Sequence, residues 1–431
     1  MTEVISETEF LQLVQAHSQN FLKIYNLIRK EPPPYTRKFY ARLIEESEEL
    51  ESFLDDYGAR DNKTWYLFRE LVACIRNIAK VAAILKHIIN RYPSYDLSDG
   101  GDHTFLKDAQ TVSTWLDETV HSLYGKVKEE SKRLDIRFPR GALKGDFSGD
   151  LYPQKRLPYT IDEEEGLNAQ EKLTKIATQF LHVSEAFTQF GWNHAKHDMH
   201  DFRRSIPDKV DEEKSRQVLA LTHNLQSTYD HYIRYTPLES EDLRLKSLRG
   251  YISVSLHLLD VINWLSHLYQ RHLQTPKRGE AGYEISEVVN QDRILEIVTN
   301  FALFHTSQYL QTGKTLAGEI LTEYTEIDSI EARIPEKLGF HLRPATLVAK
   351  VTKYYGTKVS LNVGGKAYDA GNVLSITLAA GLIARKGYKR VVFRGDKRVL
   401  QDLELLSTYN YGEDEKGNPT ALPPQLSYLW T

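Results

Sequence analysis

The chain of 431 residues contains one cysteine and two methionines. Cys74 alone cannot close an internal disulfide, and zinc sites built from cysteine pairs are excluded with it. It sits inside an apolar helical run, so its expected role is core packing. Long apolar runs are missing as well. No stretch reaches the ~20 apolar residues of a membrane-spanning helix, so no membrane insertion is expected. The opening, MTEVISETEF, has no basic region and no apolar stretch, and does not read as a secretory signal. An excess of one charge is also lacking. Fifty-five Lys and Arg against 59 Asp and Glu leave a net charge of −4, which argues against a general nucleic-acid or membrane-surface binder. No G-x-G-x-x-G fingerprint appears. Gly-Lys-Thr occurs in QTGKTLAG, but Gln308 stands where a phosphate-binding loop needs glycine and the pattern around it is helical, so a nucleotide loop is rejected. A cytoplasmic protein without cofactor or metal is the expectation.

What is present divides near residue 328. Before it, apolar residues recur at helical spacing over about 7–30, 35–58, 62–91, 103–134, 163–205, 209–236, 239–274 and 285–326. In the third of these, Leu67, Leu71, Cys74, Ile78, Val81 and Leu85 follow steps of three and four. Pro32, Pro33 and Pro34 separate the first two helices. A Gly- and Pro-rich stretch, 135–162, reads as a linker between a helical bundle at 1–134 and a second at 163–326. LESFLDDY at 50–57 resembles LQSTYDHY at 225–232, and LKHIINRY at 85–92 resembles LSHLYQRH at 265–272. Tandem duplication of a four-helix unit would produce such pairs, and so would coincident apolar stripes.

After residue 328 the grammar changes. SIEARIPE alternates like a strand, RPATLVAKVTKYY reads as a helix, and TKVSLNVGGKAYDA reads as a hairpin turning at Gly364 and Gly365. NVLSITLAAGLIARKG is a second helix, YKRVVFRG a strand and DKRVLQDLELLS a third helix. The order β-α-β-β-α-β-α predicts a small open-faced α/β sandwich over 328–410. The remaining 411–431 reads as an extended tail whose LSYLW docks on the body.

The sharpest chemistry lies in LGFHLRPATLVAK, 338–350. His341 precedes a helix and Arg343 follows one residue on. A helix start carries unpaired N–H groups and a partial positive charge, so it attracts anions and disfavours imidazolium. A histidine there is biased towards its neutral, nucleophilic form, and Arg343 supplies a fork of donors for phosphate oxygens. Such a pair can hold a phosphoryl group on a ring nitrogen, and the labile P–N bond suits a relay better than a hydrolase.

Residues 328–408 resemble HPr, the histidine-containing phosphocarrier family of the bacterial sugar phosphotransferase system. The resemblance rests on GFHLRPA, on the element order, and on YDAGNV before the second helix. It implies that His341 accepts phosphate from an enzyme I-like donor and passes it to a downstream acceptor protein, with Arg343 assisting transfer. It also implies a docking face comprising Thr346, Leu347, Lys350, Val373, Leu374 and Thr377. Two departures stand out. Many members carry a regulatory serine where this chain has Asn372, and AAGLIARKG is longer than usual. The helical region would then be a regulatory or partner-binding module that folds by itself. The alternative is a non-transferring scaffold that uses the same face only to dock proteins.

The other polar constellation is WNHAKHDMHDFRR, 192–204. At ~100° per residue, His194, His197, Asp198 and Asp201 share one helical stripe, while His200 points away. A metal half-site and a second phosphate-accepting histidine are conceivable there, but a solvated helix face is the expected role. His257, His267 and His272 read as packed helix residues rather than ligands.

Overall fold

The apolar spacing before residue 328 folds as helix. The computed structural model describes residues 4–31, 33–95, 97, 104–147, 157, 169–192, 211–274 and 279–430. The described chain is mostly helical, with a four-stranded antiparallel sheet near the C-terminus. It divides into two compact units. One comprises Met1–Ile161, Val183–Thr228 and Glu239–Gly313, and the other Asp162–His182, Tyr229–Leu238 and Lys314–Thr431.

In the first unit, α1 (Glu7–His17) starts where the Ser6 side chain accepts from the Glu9 amide at 3.2 Å. The 7–30 helix is broken at buried Ser18, where α2 (Gln19–Ile28) begins. Thr36 caps α3 (Arg37–Asp56) just after the prolines. The central element is α4 (Tyr66–Arg91), which packs against α3, against α5 (Thr104–Arg133) and against the later Arg244–His267 helix. Its buried residues include Phe68, Leu71, Val72, Cys74, Ile75, Ile78 and Leu85, which lie on more than one face. A helix apolar on several faces needs partners on several sides. That requirement corrects the expected division into bundles at 1–134 and 163–326 about a linker at 135–162. The two stretches share one core through α4, and pieces of the second stretch belong with the sheet.

The helices α6 (Ala169–Gln189), α7 (Glu212–Tyr232), α8 (Pro237–Glu241), α9 (Arg244–His267) and α10 (Gly279–Ser286) follow. The expected 285–326 helix is interrupted. Asn290 accepts from the Arg293 amide at 3.1 Å and starts α11 (Gln291–Glu296). A π-helical stretch, Ile297–Leu303, then leads into α12 (Phe304–Tyr324). The Gly-Lys-Thr of 313–315 lies inside α12, as its helical setting implied. His194, His197, Asp198 and Asp201 lie outside the described residues.

The second unit contains β1 (Ile327–Arg333), α13 (Leu342–Tyr355), β2 (Ser360–Val363), β3 (Lys366–Asp369), α14 (Val373–Lys386), β4 (Arg390–Asp396) and α15 (Lys397–Thr408). The sheet runs β1-β4-β2-β3 with every pair antiparallel. Gly364 and Gly365, at φ 55° and 79°, make the tight β2–β3 turn, where two consecutive left-handed residues match the twist of the strands. The helices bury Val348, Val351, Ile376, Ile383, Val399 and Leu403 in one core with Leu361 and Phe393 of the sheet. Leu426 and Leu429 of the tail are buried in that same core, so the C-terminal segment is part of the fold.

Candidate functional site

The stretch that carries His341 is clamped from below. Phe340 is fully buried and meets Tyr411 edge-on at 5.1 Å. Pro344 and Ala345, just beyond, are buried too. Between these anchors His341 stands at the N-cap of α13, with extended backbone and its amide bonded to the Gly339 carbonyl at 2.8 Å. Its side chain is 29% exposed and does not cap the helix. The amides of Leu342 and Arg343 in the first turn have no intrahelical acceptor, and Pro344 has no N–H.

The unforeseen member of the site is Glu413. Its carboxylate is nearly inaccessible, with 2% of the side chain exposed. It lies 2.9 Å (Oε1) and 3.1 Å (Oε2) from His341 Nε2. Arg343 Nη1 donates to the same Oε1 at 3.0 Å and to the Gly417 carbonyl at 3.1 Å. Imidazole and guanidinium thus converge on one oxyanion. Among the described residues, His341 Nδ1 and the Nε and Nη2 groups of Arg343 bond to no protein atom.

Local structure delivers that carboxylate. After α15 the chain turns through three left-handed residues, Asn410, Tyr411 and Gly412, at φ 47°, 55° and 73°. Two of these are not glycine, a conformation that persists only where surroundings enforce it. Here the Tyr411 hydroxyl donates to the Arg333 carbonyl at 2.8 Å, and Asn410 Oδ1 accepts from the Glu336 amide at 3.1 Å. Beyond Glu413, the Asp414 carboxylate accepts from the amides of Lys416 and Asn418. The Asn418 side chain and these amides hold the Asp414 carboxyl below the usual carboxylate range. A bridge between Glu413 and Pro419 closes the turn. No pattern within the 72 residues separating His341 from Glu413 announces this contact. The only sequence signal was a charged Gly-rich turn ahead of an apolar end.

The implied docking residues fall into two groups. Leu374 and Thr377 are exposed on α14, and Thr346 and Val373 are partly exposed. Leu347 is 8% exposed, with Gly412 of the C-terminal segment against it, so it offers little surface to a partner. Lys350 is exposed, but its ammonium donates to the Leu429 carbonyl at 2.9 Å. Leu342 and Leu378, about 70% exposed and not foreseen, extend the apolar surface beside Leu374 and His341. Their signal was available, since Leu374 and Leu378 are one helical turn apart.

The remaining foreseen histidines lie in the helical unit. The His272 ring meets the buried Glu70 carboxylate at 2.9 Å, and His267 lies 3.3 Å from Glu212. His257 meets His87 with ring centroids 4.7 Å apart. All are packed residues, and none gathers further histidine or acidic ligands into a group able to hold a metal among the described residues. Comparisons with family models, with curated proteins and with solved structures find no match to this chain.

Proposed function

We propose that the chain is a phosphoryl carrier of the phosphotransferase-system type, with an HPr-like domain at 328–410 and His341 as the phosphoryl acceptor. The observation that carries this reading is the convergence of His341 and Arg343 on one oxyanion, at a helix start whose first amides have no intrahelical acceptor. A phosphoryl group is a tetrahedral oxyanion with more charge than a carboxylate. The same guanidinium and amides suit its oxygens. The element order and the motif GFHLRPA support the family assignment. An enzyme I-like donor, a downstream acceptor protein and a regulatory role for the helical region belong to the same proposal. The exposed Leu342, next to the histidine in the chain, and Leu374 and Leu378 on α14 supply apolar side chains for docking such partners.

The test is acid-labile labelling of the full chain by phosphoenolpyruvate and enzyme I, with mass mapping of the modified residue. His341→Ala is expected to abolish labelling. Arg343→Ala keeps the nucleophile but loses charge stabilisation during transfer, which typically costs ~2–4 kcal/mol, or on the order of a hundredfold in rate. Undiminished labelling of His341→Ala would remove the assignment. A wild-type chain that binds enzyme I without taking label would favour the docking scaffold.

A further inference from the structure

We propose that Glu413 is a positioning residue for His341: by accepting the Nε2 proton it fixes the imidazole so that Nδ1 carries the free lone pair and receives the phosphoryl group. The assignment rests on the phosphocarrier reading, and it adds a residue from the C-terminal segment that lies outside the motif.

Three observations carry it. The Nε2 atom lies within hydrogen-bond distance of both carboxylate oxygens, at 2.9 and 3.1 Å, and a carboxylate can only accept. Nε2 is therefore the protonated nitrogen, and in a neutral ring Nδ1 is left with its lone pair. Second, that nitrogen bonds to no protein atom among the described residues, while 29% of the side chain is exposed. Third, Glu413 holds Arg343 through Nη1 alone. The Nε and Nη2 donors remain to meet phosphoryl oxygens, so the carboxylate orients the guanidinium without exhausting it.

The step balances without any further reactant. The Nδ1 lone pair forms a bond to phosphorus of an N-phosphorylated donor. The donor's P–N bond breaks and its electron pair leaves with the donor nitrogen, which takes a proton from water. The Nε2 proton stays in place throughout. The phosphorylated ring is then an imidazolium, and the adjacent Glu413 carboxylate offsets its positive charge. Glu413 is itself fixed by the left-handed run before it and the Asp414 turn after it, so it need not reorganise as charge develops.

The test uses the full chain and potassium phosphoramidate, a small donor that makes no use of a docking face. Wild type, Glu413→Gln and Glu413→Ala are compared for rate of labelling, for the nitrogen modified (by ³¹P–¹⁵N coupling), and for the Hε2 signal of ¹⁵N-histidine, assigned by its absence in His341→Gln. Wild type is expected to label on Nδ1 and to show a slowly exchanging Hε2. Glu413→Ala should lose that signal, label on both nitrogens and react roughly tenfold to a hundredfold more slowly, as for loss of a charge-assisted hydrogen bond. Glu413→Gln keeps an acceptor oxygen and should recover the Nδ1 preference, though only part of the rate. Labelling of wild type on Nε2 would overturn the positioning role while leaving the carrier reading intact. So would Glu413→Ala with unchanged regiochemistry and Hε2 protection. A wild type that shows the protected Hε2 but takes no label from either donor would instead remove the carrier reading.

Discussion

At the scale of single residues, Asn372 caps a helix at the position where the proposed likeness to HPr would call for a regulatory serine. Its side chain accepts from the amides of Leu374 and Ser375 at 2.9 and 3.3 Å, the arrangement of a helix N-cap. It has no hydroxyl to phosphorylate. The nearest hydroxyl on the helix, Ser375, is partly exposed, and its oxygen already accepts from the Asp369 amide at 2.9 Å. An HPr serine kinase should therefore leave the region unmodified, and intact mass after incubation with kinase and ATP reads this directly. Stoichiometric phosphoserine at 375 would mean that the kinase reads a site one turn further on. Asn372→Ala, by removing the cap, should cost about 1 kcal/mol of stability in urea. His341 and Arg343 were legible at this scale because their chemistry is contiguous. Glu413 was not. It reaches them by a chain reversal through Asn410 and Tyr411 at positive φ, which few residue types announce.

At the scale of elements, the strand and helix order after residue 328 was legible because each segment is short, strongly patterned and bounded by glycine. The interruption of 285–326 was not, since a π-helical stretch keeps nearly the same apolar spacing as the α-helix around it. Helix pairing was equally hidden, and the contact of α4 with α9 has a consequence for acid stability. Burial holds the His87 imidazole down to about 4, with Arg37 and Arg91 adding to the effect. Burial, then His87 and Arg37, holds His257 down to about 3. Both rings are neutral in the folded chain at pH 5, whereas the unfolded chain takes up protons from the ordinary value of 6.5. The unfolded state thus binds more protons between about 6.5 and 4, so this contribution is intact above pH 6.5 and lost as pH falls. Urea midpoints of the wild type should drop more steeply from pH 7 to about 4.5 than those of His257→Leu, because only one of the two rings remains to be protonated in the variant. Parallel slopes would exclude the pair as a source of acid sensitivity.

At the scale of the whole molecule, the change of sequence grammar at 328 and the boundary of the folded units are different things. Grammar reflects local periodicity, whereas a unit boundary reflects which surfaces are buried together. The unit that contains the sheet also takes in the first part of α6 and the last part of α12. Gly356, at φ 69°, shows why: a Cβ there would lie 2.5 Å from Leu181 Cδ1, so the end of α13 fits closely against α6. Thr178 Oγ1 donates to the Tyr355 carbonyl at 3.2 Å, His182 Nε2 donates to the Tyr354 carbonyl at 2.5 Å, and Arg398 reaches Thr178 at 3.3 Å. A cut between 326 and 328 parts Leu181 and Ile320 from the unit they complete. Three lost hydrogen bonds at about 1 kcal/mol each and the exposure of one leucine at about 2 kcal/mol give on the order of 5 kcal/mol. Hydrogen exchange at Val391 and Phe393 of β4 measures it. In a 328–431 piece these amides should exchange at least tenfold faster than in the full chain, if they exchange by global opening of the unit. Equal protection would mean that the sheet and its three helices close without α6, and that the helical segments contribute nothing to the platform holding His341.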